Sequence, residues 1–494
     1  MARAEASRFE SRLLINGQLV QAANRATYDN VNPATGQSIG KAADAGPKDA
    51  DAAVTAARNA FDVSDWQHDH AFRHSCLKEL QAALSDNVEA FRNLQILEAG
   101  HTQSTAATVG GVIDGMSFMV EQANSYRFEE EFGQKAVNGS EQLRALRKEP
   151  FGVVVLITPW NAPFLENVWK LTPALAAGNC VVLKAAPGTP YTALEIGRLI
   201  VERTKIPAGV VNILSSEDKS AVGEALTDNP RVDMFHFTGS TQTGTRIMQK
   251  AAIGVRKVAL ELGGKSANII LDDADLDVAL SFQVGFGCLL SGQGCALPTR
   301  LLVPRSLRAE VEQRLAAMFA ELTVGDPNEP ATAIGPVSNA TQRERIYGLI
   351  ETGKAEGAKL LFGGDRISMK GDLTGGFWVQ PTLFSDVDPS STLAQTEIFG
   401  PVLSVIAYES DDDAVRIANS TAYGLAGYIQ GKDIKRMKSI ARRVRAGSIG
   451  INATVPFAHS DLPFGGYGQS GIGRENGIEG FEEYLQTKSL VMPA

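Results

Sequence analysis

Cysteine is scarce in this chain: 494 residues include four, Cys76, Cys180, Cys288 and Cys295. Thiols so few and so scattered form neither a disulfide framework nor a cysteine-based zinc site, and no metal is expected. A reducing, cytoplasmic setting is the expectation that follows. Long hydrophobic runs are missing too, and no stretch approaches the ~18 apolar residues of a membrane helix. Met1 to Glu10 is polar and charged, without the apolar segment of a secretion signal. Nor is positive charge concentrated. The formal net charge is -9, and the only dense basic run, Arg442-Arg-Val-Arg445, reads as the exposed face of a helix. Nucleic acid, which demands clustered Lys and Arg, is thereby disfavoured as a ligand.

What is present is 44% hydrophobic and 21% charged residues, the balance of a globular protein, at a length that calls for more than one domain. Ala50 to Phe61, Ala71 to Leu84 and Val88 to Leu97 place apolar residues three and four apart, which predicts helices. From Gly152 the pattern changes. Val153 to Ile157, Cys180 to Leu183, Val210 to Ile213 and Met234 to Phe237 are short apolar runs separated by helical lengths. That βαβα rhythm predicts a parallel sheet covered on both faces, with a dinucleotide site at its carboxyl ends. A second α/β unit follows Gly264, with strands at Ser266 to Leu271 and Arg300 to Val303 and helices at Asp275 to Phe286 and Leu307 to Leu322. Gln142 to Lys148 and Glu483 to Val491 read as strands outside both units.

Two segments carry chemistry. Glu261-Leu-Gly-Gly264 and Gly292-Gln-Gly-Cys295 set a carboxylate and a thiol in glycine-rich surroundings. A Cys attacks only as thiolate, and an acyl-Cys turns over only if a second group activates water. Cys295 and Glu261 are the candidates. Each has a plainer reading, Cys295 as a small buried hydrophobe and Glu261 as a charge at a strand end. Asn161 follows a strand and a Pro-Trp pair, where Asn is also an ordinary turn or cap residue. Phe237-Thr-Gly-Ser-Thr-Gln-Thr-Gly244 lies before an expected helix, Thr245 to Ala252, and its turn would offer free N–H groups to a pyrophosphate. Cys288 reads as packing, and Cys76 and Cys180 as structural.

The motifs stand in one order: Thr158-Pro-Trp-Asn161, Lys184, Phe237-Thr-Gly-Ser240, Glu261-Leu-Gly-Gly264, Gly292-Gln-Gly-Cys295, Glu397-Ile-Phe-Gly-Pro401 and Pro463-Phe-Gly-Gly466. With these, the chain from Leu13 to Leu490 resembles the non-acylating, nicotinamide-dependent aldehyde dehydrogenases. The resemblance implies an α/β fold with three parts. These are a Rossmann-like cofactor domain (1–131 and 151–262), a second α/β catalytic domain (263–477) and a small β oligomerisation arm (132–150 and 478–494). The arm implies a homodimer or homotetramer.

The same resemblance assigns roles. Cys295 would be the nucleophile, Asn161 an oxyanion donor, Glu261 the base that activates water, and Lys170 with Glu475 a proton-relay pair. The cofactor would meet Thr158, Trp160, Lys184, Pro187, Gly239, Ser240, Gly244, Leu262, Gly263, Glu397 and Phe399. Two positions depart from the family. Pro187 stands where NAD-preferring members commonly carry Glu, so NAD is expected without excluding NADP. Leu290 stands where many relatives have Asn, and reads as packing variation.

A substrate tunnel is expected, by resemblance, from Phe164, Leu165, Glu166, Trp169, Phe286, Leu289, Gly294, Ala296, Phe457 and Phe464. Apolar side chains dominate, which favours an aliphatic or aromatic aldehyde as the small-molecule substrate. Glu166 would instead suit a cationic amino-aldehyde. A thiol-dependent esterase without a redox step is the alternative from another class.

Overall fold

The computed structural model describes residues 9–218 and 220–494, so that 1–8 of the polar N-terminal stretch lie outside the described residues. Among them no helix is long and apolar enough to cross a membrane.

Five parallel strands form the centre of the first sheet, in the order Lys257–Glu261, Met234–Thr238, Val153–Ile157, Cys180–Lys184 and Val211–Leu214. They are nearly continuous apolar runs because helices cover both faces, and most of their residues are buried. Strand order reverses between Val153–Ile157 and Met234–Thr238, and the crevice at that switch point is where a doubly wound sheet receives a ligand. Leu13–Ile15 and Gln18–Val20 extend one edge, and Gly471–Ile472 pairs antiparallel with Lys257–Glu261 at the other. The predicted helices form at Pro47–Val63, His70–Asp86 and Val88–Ala99.

The second sheet has the order Lys359–Phe362, Thr382–Ser385, Val402–Tyr408, Arg300–Pro304, Ala267–Ile270, Ala426–Gln430 and Ser448–Ile451. All of its neighbours are parallel except the first pair. Helices Leu276–Gly287 and Arg308–Ala320 pack on it around a core that includes Leu280, Val311 and Phe319. A third sheet pairs Ser140–Pro150 with Glu129–Val137 on one side and Leu485–Pro493 on the other, all antiparallel. Phe481, Tyr484 and Leu485, which lead into its last strand, are buried in the first core.

One boundary differs from the sequence reading with consequences for the site. The helix expected from Thr245 starts at Thr241, inside the Gly-rich turn. Ser240 is its N-cap, its hydroxyl accepting from the Thr243 N–H at 3.3 Å. Gly244 therefore lies within the helix, where a Cβ would run into Leu262 of the neighbouring strand end.

Candidate active site

Cys295 sits on a loop whose shape is set by its neighbours. Leu290, Ser291 and Gly292 all adopt left-handed backbone, with φ of 54°, 54° and 73°. The reversal presses Gly292 against the Gly400 carbonyl and Pro401, leaving no room for a side chain. Gln293 anchors the loop by accepting from the Ser338 N–H at 2.9 Å. Leu290 is a branched side chain where only Gly, or an Asn that bonds its own backbone, is at ease. The departure at Leu290 therefore bears on backbone conformation as well as on packing.

Cys295 is only partly enclosed by protein and packs against a buried cluster that includes Tyr428 and Phe464, as do Trp169, Phe282, Phe286 and Phe457. These rings form a continuous wall. Centroids are 5.9 Å apart for Phe286 and Phe457, 5.4 Å for Phe457 and Phe464, and 6.1 Å for Trp169 and Phe464. Tyr428 donates its hydroxyl to the Ala296 carbonyl at 3.0 Å and meets Phe286 at 5.6 Å. Sequence reasoning missed Phe282 and Tyr428. A signal existed for the first, since Phe282 and Phe286 stand one helical turn apart and stack at 5.3 Å. Leu165 and Leu289 remain partly accessible, as does Gly294.

Two expected pocket residues do not join this wall. Phe164 is 1% exposed and packs on Phe91 at 4.7 Å, in the first core. Leu165 and Trp169, one turn apart, instead occupy the more open face of helix Pro163–Ala176. Glu166 is buried and hydrogen-bonded to Lys170 at 3.1 Å, so its carboxyl turns into the protein and does not face a substrate tail.

Asn161 donates through Nδ2 to the Gln293 carbonyl at 2.9 Å, which fixes the amide over the cysteine loop and leaves its second N–H free. His101 holds the same residue from behind, its Nε2 2.7 Å from the Asn161 carbonyl. Burial depresses the His101 pKa to about 4, with the Asn161 contact acting the other way, so the ring is neutral and its Nε2–H is the donor. No periodicity or motif pointed to His101; it follows the left-handed Gly100 at a helix end.

Glu261 ends its strand opposite Thr238, buried, with neither carboxylate oxygen hydrogen-bonded within the protein. Burial first, then the Glu166 and Glu475 carboxylates, push its pKa well above the usual range. The Cys295 thiol is likewise pushed up by burial and then by Glu261 and Glu166. Burial thus favours the uncharged form of both groups. Lys170 contacts both Glu166 and Glu475. Burial opposes its charge, but the two carboxylates outweigh that and hold it protonated.

At the switch point lies a cleft of about 480 Å³ lined by Ile157, Thr158, Trp160, Lys184, Pro187, Gly239 and Ser240 among others. Burial lowers the Lys184 pKa to about 8, partly offset by Asp218. A side chain at Gly239 would strike the Phe237 ring, so the floor at that turn is bare backbone. An open crevice, a helix N-terminus and a lysine form a donor set that fits a dinucleotide. Gly244 and Leu262 lie beneath this cleft, packed on each other, rather than in its lining. Glu397 accepts from the Gly264 N–H at 3.0 Å and leaves no space for a Cβ on Gly263. Phe399, at φ 59°, meets Trp160 edge-on at 5.3 Å. These residues link the cleft to the Cys295 loop, because Gly400 packs on Gly292.

A family model described as the aldehyde dehydrogenase family matches residues 19–490. A protein named putative aldehyde dehydrogenase from Staphylococcus aureus (strain MSSA476) is 40% identical over 485 residues, which is 96% of this chain and 97% of that protein. Among solved structures, aldehyde dehydrogenase C from Pseudomonas syringae, a mutant complexed with NAD+ and octanal, is 38% identical with a TM-score of 0.90, covering 98% of this chain and 97% of that one. Betaine aldehyde dehydrogenase from Staphylococcus aureus, in complex with NAD+, is 34% identical with a TM-score of 0.96, covering 100% and 97%.

Proposed function

Because the chain belongs to the aldehyde dehydrogenase family, we propose that Cys295, Asn161 and Glu261 together carry the oxidation of an apolar aldehyde to its carboxylic acid, with NAD+ as oxidant. One observation carries this assignment. Cys295 packs against the same aromatic cluster as Phe286 and Phe457, the Glu261 carboxyl group acts on its thiol, and the Asn161 amide is secured to the Gln293 carbonyl of the cysteine loop.

Water beside Glu261 takes the thiol proton, and the sulfur adds to the aldehyde carbon. The spare N–H of Asn161 and the Cys295 backbone N–H receive the oxyanion, each such donor contributing about 3 kcal/mol to the transition state. When bound, a dinucleotide would supply the hydride acceptor needed to bring the aldehyde carbon to the acyl (thioester) level. Glu261, in its ionised form, then takes a proton from water, whose oxygen attacks the thioester; the C–S bond breaks, the Cys295 sulfur takes that proton back from Glu261, and the acid is freed. Thr158, Trp160, Lys184, Pro187, Gly239 and Ser240 would hold the cofactor's adenosine and phosphate portion, and Glu397 with Phe399 its nicotinamide end. Pro187 is an uncharged wall of the cleft, so no carboxylate at that position repels a 2′-phosphate.

The aromatic wall favours aliphatic or aromatic aldehydes, as does the octanal complex of the similar Pseudomonas syringae enzyme. A cationic aldehyde is the second reading, since ring faces also attract cations and one similar structure is a betaine aldehyde dehydrogenase. Glu166 no longer supports it, being paired with Lys170. A thiol esterase would have no use for the cleft. We take 1–131 with 151–262 as the cofactor domain, 263–477 as the catalytic domain, and 132–150 with 478–494 as the arm. The outer edge of Leu485–Pro493 and exposed Phe132, Val491 and Met492 favour a homodimer or homotetramer. Four free cysteines favour the cytoplasm.

The test is cofactor reduction with octanal, benzaldehyde and betaine aldehyde, each with NAD+ and NADP+. Octanal or benzaldehyde with NAD+ should be the preferred pairing, and Cys295→Ala should abolish it. Preference for betaine aldehyde would overturn the apolar reading, and a fully active Cys295→Ala the thiol mechanism.

A further inference from the structure

Three side-chain amides run in single file between the second sheet and helix Leu276–Gly287. Gln430, Asn268 and Gln283 are each 2% exposed or less, and they come from strand Ala426–Gln430, strand Ala267–Ile270 and the helix in turn. The Ala453 N–H donates to Gln430 Oε1 at 3.0 Å, and Gln430 Nε2 donates to Asn268 Oδ1 at 3.0 Å. Asn268 Nδ2 then donates to Gln283 Oε1 at 3.0 Å, and Gln283 Nε2 to the Pro298 carbonyl at 2.6 Å. The two ends leave no choice of direction. A backbone N–H only donates and a carbonyl only accepts, so each amide is fixed with its oxygen toward Ala453 and its nitrogen toward Pro298. Bonds aligned head to tail polarise one another, and a break out of water leaves polar groups unpaired.

Both ends of the file bear on the site. Pro298 stands three residues after Cys295. Tyr428, two positions before Gln430 on the same strand face, holds the Ala296 carbonyl of that segment at 3.0 Å. At the other end, Ala453 is the root of the loop that carries Phe457. Asn452 and Ala453 are both left-handed, at φ 52° and 58°, a conformation that Ala does not favour. Two bonds hold the reversal: Asn452 Oδ1 accepts from the Gly431 N–H at 3.0 Å, and Ala453 donates to Gln430. Beyond them the loop is largely open to solvent, with Thr454, Ala458 and His459 exposed, while Phe457 packs on Phe286 and Phe464.

We propose that Gln430 is a positioning residue for substrate selection, tying the strained root of the Phe457 loop to the segment behind Cys295 so that the aromatic wall keeps a fixed reach from the thiol. This rests on the reading of Phe457 as part of the substrate wall. A two-carbon aldehyde occupies only the neighbourhood of the sulfur, whereas a long chain lies along the ring of Phe457. The clamp therefore matters to the second and not to the first. Gln430 is itself buried and acts through the loop.

Gln430→Met keeps the length of the side chain and removes both hydrogen bonds. The octanal-to-acetaldehyde ratio of kcat/KM should fall about fivefold, through KM for octanal, with kcat for acetaldehyde held within about twofold. In Phe457→Ala, which has already lost the ring, adding Gln430→Met should change that ratio by less than about twofold, because groups acting through one contact are not additive. An unchanged ratio in Gln430→Met overturns the proposal, as does a full further loss in the double variant. Equal losses with octanal and acetaldehyde overturn it too, since a merely structural role lowers both alike.

A measurement on the unmutated protein stands beside these. The Ala453 amide should exchange its hydrogen as slowly as the buried strand amides while that of exposed Thr454 exchanges fast, and equal rates overturn the clamp whether or not Gln430→Met folds. A wild-type ratio in Phe457→Ala is a separate outcome, which sinks the substrate wall itself and the proposal with it. Failure confined to the Gln430 variants leaves that wall standing.

Discussion

The Cys295 carbonyl oxygen occupies the space that a side chain on Gly264 would need. The glycine of one motif thus carries the backbone of the other, and the thiol's height above Glu261 depends on a residue without a Cβ.

Gly264→Ala should therefore lift the Cys295 loop. A shift of that kind costs on the order of 10²-fold in kcat/KM. Cofactor reduction with octanal measures it, and an unchanged circular dichroism spectrum with normal activity would contradict the close contact.

Leu290→Asn should stabilise the protein. Its φ of 54° strains a leucine by about 1 kcal/mol, which Asn largely escapes. Denaturant unfolding should show a midpoint shifted upward with unchanged slope; no gain would mean that Leu290 packing offsets the strain.

Glu397 should make cofactor affinity depend on pH. Burial raises its pKa to about 7, against the Gly264 N–H, Arg345 and Lys265, which pull it down. The ionised carboxylate accepts at both oxygens and carries full negative charge, whereas the protonated form has one acceptor site fewer and no charge, so its hold on ribose hydroxyls weakens as pH falls through 7. KM for NAD+ should rise severalfold from pH 8 to pH 6, and Glu397→Gln should flatten that trend; an equal trend in both enzymes would exclude Glu397 as its source.

Pro187→Glu should sharpen coenzyme choice. A carboxylate in the cleft repels a 2′-phosphate by ~1–3 kcal/mol while offering an acceptor to a ribose hydroxyl. KM for NADP+ should climb about tenfold or more relative to that for NAD+. An unchanged ratio would place the 2′ position elsewhere in the cleft.

Phe457→Ala should open the aromatic wall. Loss of a partly buried ring of this size weakens binding of a long apolar chain by about 1–3 kcal/mol. KM for octanal should rise about tenfold or more, with a much smaller effect on acetaldehyde; equal effects on both would remove Phe457 from the substrate path.

How much was legible without coordinates depended on the kind of signal. Strands such as Val153–Ile157 and helices such as His70–Asp86 announce themselves through local hydrophobic spacing, which needs no partner to be read. Glu166 shows the limit. Its place at the start of a helix beside Trp169 suggested a pocket wall, yet Lys170 one turn on binds its carboxyl group. His101 and Tyr428 carry no motif at all, because each acquires its partner from an element distant in the chain: Asn161 and Ala296.

The amino-acid order alone determined the element types, the glycine-rich settings of Glu261 and Cys295, and the family, since these rest on local pattern and on motif succession. Which way Phe164 turns, how the Leu290 to Gly292 reversal presents the thiol, and which carboxylate keeps its proton were decided only by packing. Rotamers, left-handed backbone and buried charge balance are properties of many neighbours at once, and no stretch of chain contains those neighbours.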